Sequence, residues 1–361
     1  MRYKRPFRPS IAMDLKELSA KLGLSQTTVS RALNGYSDVS ERTRERVMQA
    51  AQEYGYRPNG AARRLATGKA DAVGIVYPTG SGDLGDPRFV EVVAGMTDRF
   101  AQAGVDVLIA SARPADELAT YERLLKARRV DGFIVPHTRM DDARIEHLKA
   151  SGAPFVAYGR TARPDDYAWF DFDNEAGTAL AVARLADLGH KDIAYVHAPL
   201  DLTFSYQRHQ GFLRGLREAG LKPVARHVVA AGFSRRGGHE AMQALLKQQP
   251  LPSAVIVDNN ICGVGVVRAL LDVGLAPGRD ISVIVYDGMP ADTLLGGIAI
   301  TAIAQPEAHA AGVQLAELML GVVDGKPLKQ LQVLWQPKLA PGASDGPAPQ
   351  RRPPTRAAKL S

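Results

Sequence analysis

The stretch Leu24-Ser25-Gln26-Thr27-Thr28-Val29-Ser30-Arg31-Ala32-Leu33-Asn34 decides how the N-terminal end of the chain is read. Ser25 is a favourable N-cap, and the residues after it predict a helix from Gln26 to Leu33. Val29 and Leu33, four apart, share one face, which leaves Gln26, Thr27, Ser30 and Arg31 pointing away from it. Upstream, residues 15–22 carry apolar side chains at helical spacing, and Gly23 then permits a sharp turn. Downstream, Ser40 caps a third helix with Glu41 at its positive end, and Val47, Ala51 and Tyr54 are its expected buried face. A helix, a glycine turn and a second helix with a polar first turn is a geometry that fits the major groove of DNA.

The charge distribution agrees with a DNA-reading head. The 361 residues carry a net +7. Residues 1–69 hold 14 Lys and Arg against 6 Asp and Glu, a net +8, whereas residues 70–340 are net −4 and residues 341–361 net +3. A basic head on a mildly acidic body points to a polyanionic partner for the head alone. One cysteine, Cys262, excludes an intramolecular disulfide or a cysteine metal cluster. The basic start is followed by no apolar signal region, and no run is long enough to span a bilayer, so a cytoplasmic protein with no membrane partner is expected.

Beyond residue 70, short β-branched runs alternate with helix-period segments. Strands are predicted at 72–77, 106–110, 132–135, 155–158, 193–197, 227–230, 254–258 and 281–286. Helices are predicted at 89–103, 117–127, 174–188, 211–219, 236–247 and 264–273, several of them closed by a glycine such as Gly104 or Gly274. This alternation predicts parallel sheets wound by right-handed crossovers. The segment is too long for one such sheet, so two Rossmann-like lobes with a cleft between them are expected. The organisation read from the chain is therefore a basic arm at 1–12, a helix-turn-helix domain at 13–57, a hinge and linker at 58–69, a two-lobed body at 70–340 and a disordered Pro-, Ala- and Arg-rich tail at 341–361.

Several strings together resemble the LacI/GalR family, that of the lac repressor. Residues 24–34 match its recognition helix. Val39-Ser40-Glu41-Arg42-Thr43-Arg44-Glu45-Arg46-Val47 and Tyr54-Gly55-Tyr56-Arg57-Pro58-Asn59 match the third helix and the start of its hinge. The resemblance continues to about residue 340 through residues 72–76, 171–177, 188–194, 207–212 and 281–287. It implies an α/β protein with a three-helix head and two lobes of the periplasmic-binding-protein type, working as a homodimer on double-stranded operator DNA. Gln26 and Thr27 would then read base edges, and Arg31 would take a guanine or clamp a phosphate. Thr28, Ser30, Asn34 and Arg42 would contact phosphates. In the hinge, Asn59, Ala62 and Leu65 would lie in the minor groove with Leu65 as wedge, the alternative for Leu65 being a linker residue packed on its own lobe.

By the same resemblance Arg208 and Asp287 face the cleft. Asp287 at a strand's carboxyl end can accept from vicinal hydroxyls, and Arg208 can donate two parallel hydrogen bonds. An ion pair that merely pins two strands is the alternative for these two. Asn259, Asp258, Phe172 and Phe204 complete the effector candidates. Gly159 stands where sugar-binding members often place an acid, which leaves the effector open: a neutral sugar or glycoside first, a purine second. The expected function is ligand-controlled transcription regulation, first read as repression, with no cofactor. A transport-type sugar-binding protein and a constitutive DNA-binding protein with a vestigial cleft are the alternatives. Motifs that would signal an enzyme or a metal site are broken: Arg268 replaces the third glycine after Gly263 and Gly265, Gln243 stands where His239-Glu240 needs a second histidine, and Gly68-Lys69 lacks the upstream glycine of a phosphate loop.

Overall fold

The computed structural model describes residues 13–56, 68–78, 86–290 and 297–349. The expected arm at 1–12, and most of the hinge with Asn59, Ala62 and Leu65, lie outside them. The chain separates into two units, Met1–Asp71 and Ala72–Ser361.

The first unit holds three helices, α1 (Leu15–Leu22), α2 (Gln26–Leu33) and α3 (Glu41–Glu53). Each begins on a side chain that satisfies an otherwise orphaned N–H: Asp14 in a reciprocal capping box with Glu17, Ser25 accepting from Thr28 N–H at 3.0 Å, and Ser40 accepting from Thr43 N–H at 3.3 Å. Gly23 ends α1 at φ 64°, the left-handed conformation that makes the turn into α2. Leu18, Leu22, Val29, Ala32, Val47, Ala50 and Ala51 form the small core. Leu33 packs partly buried against the same core as Val29, as its spacing predicts, and Ala32 joins them fully buried. One sequence expectation needs correction. Tyr54, expected inside, caps the end of α3 and is exposed, with the Lys21 ammonium 4.0 Å from its ring centroid.

The second unit consists of two six-stranded sheets with helices on both faces. In the first lobe the strand order is β11-β5-β4-β3-β1-β2, from β1 (Ala72–Pro78), β2 (Asp106–Ala112), β3 (Gly132–Val135), β4 (Phe155–Tyr158), β5 (Ala168–Phe172) and β11 (Gln332–Trp335). In the second lobe it is β12-β10-β9-β8-β6-β7, from β6 (Ile193–His197), β7 (Val228–Ala230), β8 (Ala254–Val257), β9 (Ser282–Tyr286), β10 (Thr301–Ala304) and β12 (Lys338–Ala340). Every pairing is parallel except β10 with β12. The helices of this unit are α4 (Pro87–Ala101), α5 (Glu117–Lys126), α6 (Ala143–Ser151), α7 (Asn174–Asp187), α8 (Thr203–Glu218), α9 (Arg235–Leu246), α10 (Asn260–Asp272) and α11 (Ala308–Val323). The chain passes between lobes after β5, after β10 and after β11. Strand order reverses between β1 and β3 in one sheet and between β6 and β8 in the other. The carboxyl ends of strands at such reversals leave a crevice for ligands.

Burial of apolar strand and helix faces builds the lobes. Tyr77, Met96, Phe100, Phe170, Leu315 and Met319 anchor the first core; Val196, Met242, Val257, Leu270 and Val285 anchor part of the second. Helices α4 and α11 cross at glycines: a Cβ on Gly312 would lie 2.0 Å from the Val92 carbonyl oxygen, and one on Gly95 would lie 2.0 Å from that of His309. The two backbones meet because neither residue has a side chain.

The body does not end at residue 340, as the composition of the tail suggested. Residues 341–349 lie along the second lobe. Ser344 is fully buried and joined to β9 and β10: Val283 N–H donates to Ser344 C=O at 2.7 Å and Thr301 N–H to Ser344 Oγ at 2.8 Å. Asp345 pairs with Arg184 at 2.6 Å and accepts from Thr301 Oγ1. The segment is held by polar contacts with a sheet margin, which its lack of large apolar residues concealed. Residues 350–361 lie outside the described part. Strands β5, β10, β11 and β12 and helix α6 were likewise not read from the sequence. All four of these strands border or lie next to a sheet edge and are too short for a period to show.

Candidate functional site

The head presents a polar surface on α2. Gln26, Thr27 and Arg31 are exposed, opposite the buried Val29 and Ala32. Thr28 is partly committed to the helix start, its hydroxyl 2.8 Å from Ser25 Oγ. Ser30 and Asn34 are half-buried, and Asn34 Nδ2 donates to the Ser30 carbonyl at 2.9 Å, closing the helix end. Arg42 is exposed on the first turn of α3. Arg31 is paired with Asp38 at 2.8 Å and lies over the Tyr36 ring, 4.9 Å from its centroid. An exposed pair of this kind is weak, so the guanidinium can be exchanged onto another acceptor. The structure thus gathers Gln26, Thr27 and Arg31 on one exposed face, while Asn34 has a local structural task.

The second site is the crevice between the lobes, which leaves about 880 Å³ of space including its mouth. Arg208, on the buried side of α8, is the centre of its polar wall. Its Nε donates to Asn174 Oδ1 at 2.9 Å, its Nη1 donates to the Asp258 carbonyl, and its Nη2 stands 3.6 Å from Asp287 Oδ2. The Tyr286 ring lies beneath the guanidinium at 3.5 Å. Gln305, in the crossing after β10, accepts from Arg208 Nη2 at 3.0 Å and donates to Asp287 Oδ1 at 3.3 Å when its amide is oriented to satisfy both. Arg88 approaches Asp287 from the first lobe at 3.8 Å. Asp287 itself holds a left-handed backbone, φ 67°, at the carboxyl end of β9. A non-glycine residue costs about 1–3 kcal/mol in such a conformation, and here it turns a carboxylate into the crevice.

Asp86 crosses the opening from the first lobe and accepts from Asn260 Nδ2 at 3.0 Å. Burial pushes its carboxyl up, against the opposing hydrogen bonds from Arg88 N–H and Asn260. Asp171, at the end of β5, is also pushed up by burial, while the Arg160 guanidinium at 2.8 Å pulls the other way. The apolar wall is a run of rings: Tyr77 and Phe89 at 4.4 Å between centroids, Tyr77 and His137 at 5.6 Å, His137 and Phe233 at 5.9 Å, and Phe233 and Phe204 at 6.0 Å. The crevice therefore offers both hydrogen bonds and flat hydrocarbon. That combination suits a ring with hydroxyls on its rim and C–H groups on its faces.

Of the six effector candidates, five line this crevice: Arg208, Asp287, Asn259, Phe172 and Phe204. Asp258 does not. It is fully buried below the crevice, where Asp258 Oδ2 accepts from Ala198 N–H at 2.9 Å and Ser205 Oγ at 2.8 Å, and burial pushes its carboxyl up. Its backbone carbonyl, not its carboxylate, serves Arg208. Asn259 is largely engaged as well, since its Oδ1 caps α10 by accepting from Cys262 N–H at 2.8 Å. Sequence reasoning missed Asn174, Gln305, Asp86, Arg88 and Asn260. Asn174 had a signal, since it opens a helix directly after a strand end. Gln305 sits in the interlobe crossing directly after β10, a strand that was not predicted, so nothing marked it. Among the described residues no three His, Cys, Asp or Glu side chains are grouped to hold a metal ion.

Comparison with known proteins bears on both sites. Residues 14–59 match the family described as bacterial regulatory proteins, lacI family, and residues 70–335 match the one described as periplasmic binding proteins and sugar binding domain of LacI family. The chain belongs to the LacI family. It is 39% identical over 333 residues to the HTH-type transcriptional regulator RafR of Escherichia coli, covering 92% of this chain and 98% of RafR. Among solved structures, the lac repressor dimer bound to operator and the anti-inducer ONPF is similar, with a TM-score of 0.78, 26% identity and coverage of 92% of this chain and 99% of that one. A complex of the regulator CelR with cellobiose matches with a TM-score of 0.69 and 27% identity over 93% of this chain and 100% of that one. The chain is thus a LacI-family transcription regulator with a DNA-binding head and a sugar-binding-type body. Among the described residues no helix is long and apolar enough to cross a membrane.

Proposed function

We propose that this LacI-family regulator represses transcription from a pseudo-palindromic operator, which it binds as a homodimer in the cytoplasm, and that a neutral sugar or glycoside in the interlobe crevice switches it. The observation that carries the reading is the gathering of Arg208, Asp287 and Gln305 in one crevice with the rings of Tyr77, Phe89, His137, Phe204 and Phe233, the Phe204 ring centroid lying 4.9 Å from the Arg208 guanidinium. A carboxylate bracketed by two guanidiniums accepts from a diol, while Arg208 donates to a neighbouring oxygen. Arg88 and Arg208 are matched by Asp86 and Asp287, and Arg160 offsets Asp171. The charges balance, so the crevice suits an uncharged ligand better than a phosphorylated one. Cellobiose in the crevice-bearing relative CelR supports the same class.

In the head, Gln26, Thr27 and Arg31 read bases, with Thr28, Ser30, Asn34 and Arg42 near phosphates, and the hinge residues Asn59, Ala62 and Leu65 enter the minor groove. Sugar binding changes lobe closure and shifts the population between a tight and a loose DNA-binding state. The test is a thermal-shift screen of the full chain against neutral mono- and disaccharides, sugar phosphates and nucleobases, repeated with Arg208→Ala. A neutral sugar that stabilises the wild type and not the variant is the expected result. Stabilisation by a nucleobase or a sugar phosphate alone would replace this reading.

A further inference from the structure

Helix α8 carries Phe204 and Arg208, yet it starts without a cap of its own. Leu202 precedes it and has no side-chain oxygen to offer, whereas the neighbouring helices α7, α9 and α10 use Asp173, Ser234 and Asn259. The first helical N–H, that of Thr203, finds its acceptor in the other lobe: it donates to the Thr138 carbonyl at 2.8 Å. Beside it, Met140 N–H donates to the Asp201 carbonyl at 3.2 Å, and Arg139 pairs with Leu202 as an antiparallel bridge. A short rung of sheet therefore joins residues 138–140 of the first lobe to residues 201–203 of the second, at the edge of the crevice.

The loop that supplies this acceptor is built to hold still. Arg144, almost fully buried, donates to the His137 carbonyl at 2.8 Å and to Asp142 at 2.9 and 2.7 Å, with Glu117 3.4 Å away. Asp142 also accepts from Arg139 N–H at 3.0 Å, and Arg139 reaches Glu117 at 3.0 Å. A buried ionic group of this kind earns little net stability but fixes one arrangement. From the other side, Ala162 N–H donates to the Met140 carbonyl at 3.0 Å. Gly159 explains the close approach: at φ 113° it takes a conformation few side chains allow, and a Cβ there would lie 2.3 Å from Thr138 Oγ1.

We propose that the Thr138 carbonyl is the N-terminal cap of α8, supplied across the crevice, and that it positions Phe204 and Arg208 for the effector. Separation of the lobes strips Thr203 N–H of its acceptor and loosens the first turn of α8. Closure restores it, so the effector-binding geometry and the closed state form together. Thr138 and Thr203 are positioning residues acting through their backbones. The proposal rests on the reading of the crevice as the effector site.

Thr203→Pro tests it. Proline is well tolerated at the first helical position, and Leu202 already has the extended backbone, ψ 125°, that a following proline requires. The change deletes one N–H and spares the helix. Thr203→Val keeps the N–H and removes only a buried hydroxyl that has no hydrogen-bond partner. Hydrogen–deuterium exchange of the ligand-free full chain is followed at residues 136–142 and 199–206, and cellobiose, maltose, lactose and sucrose are titrated as probes. Thr203→Pro is expected to speed exchange in both segments and to weaken binding of whichever probe the wild type takes by about five- to tenfold, the worth of one such hydrogen bond. Thr203→Val is expected to behave as wild type. Asp142→Asn, which weakens the support under the loop without touching α8, should move both readouts the same way and covers the case in which the proline variant does not fold. Unchanged exchange in Thr203→Pro overturns the cross-lobe cap. Faster exchange with unchanged affinity overturns its positioning role. A wild type that binds none of the probes counts against the effector reading, and the exchange comparison still decides the cap.

Discussion

Arg208 stands 3.6 Å from Asp287, close enough to attract it and too far for a hydrogen bond. Arg208 Nε and Nη1 are held by Asn174 and the Asp258 carbonyl and its Nη2 by Gln305, so the guanidinium is held in place from several sides. A ligand oxygen bridging the two gains a pre-ordered donor and acceptor. Asp287→Asn keeps the shape and removes the charge, and is expected to cost sugar binding about 1.5–3 kcal/mol, the worth of a hydrogen bond to a charged group. Calorimetric titration checks this, with circular dichroism to show that the lobes still fold. Wild-type affinity in the variant would reduce the pair to a contact that merely pins α8 to the end of β9.

Arg31 and Asp38 form the corresponding pair in the head, and both are substantially exposed. Asp38→Ala is expected to change stability by under about 1 kcal/mol. Arg31→Lys separates two roles on DNA. If Arg31 takes a guanine in the bidentate mode, discrimination at one base pair falls by about 1–3 kcal/mol. If it clamps phosphate, all sequences weaken alike. Competition anisotropy with single-site operator variants distinguishes the two, and the first is expected.

Gly312→Ala drives a methyl group into the Val92 backbone at the crossing of α4 and α11. Backbone cannot step aside as a flexible side chain can, so the helices must separate. A destabilisation of about 1–3 kcal/mol or more is expected in chemical denaturation, with sugar specificity intact.

His190 ties the C-terminal strap to the second lobe: its Nε2 lies 2.9 Å from the Gly346 carbonyl and its Nδ1 2.9 Å from Ser253 Oγ. Burial holds its pKa below the ordinary 6.5. The unfolded chain therefore takes up the proton first. This contribution to stability is complete above about pH 6.5 and is lost as pH falls through the folded-state value. Melting temperatures from pH 7.5 to 5 should fall more steeply in the wild type than in His190→Gln. Parallel curves would remove His190 from the acid response.

Much of this was legible in the sequence. Capping residues, a glycine turn and a four-residue apolar spacing place α2 within one residue of its observed bounds, and the strand–helix alternation yields both lobes. Arg208, Asp287 and Phe172 were legible through the motif strings that carry the family resemblance, Asp287 also through its place at a strand's carboxyl end. Gln305 was hidden because it sits in a connection, where no period marks a side chain's direction, and Asp86, which caps α4, because the sequence places the start of that helix at residue 89 and not at Pro87. Asp258 misled because a carboxylate at a strand end can turn inward as readily as outward; only the partners Ala198 N–H and Ser205 show which it does. The strap at 341–349 was hidden because composition reports apolar burial and says nothing of hydrogen bonds to a sheet margin.

The central claim is that occupation of the crevice controls the head. Its most direct test is fluorescence anisotropy of the full chain on a palindromic operator duplex, titrated with and without the neutral sugar that stabilises the wild type, alongside Arg208→Ala. Tight, salt-sensitive operator binding that the sugar weakens in the wild type and leaves unchanged in the variant is expected. Operator affinity that no crevice ligand alters, in a protein that demonstrably binds the sugar, would contradict it.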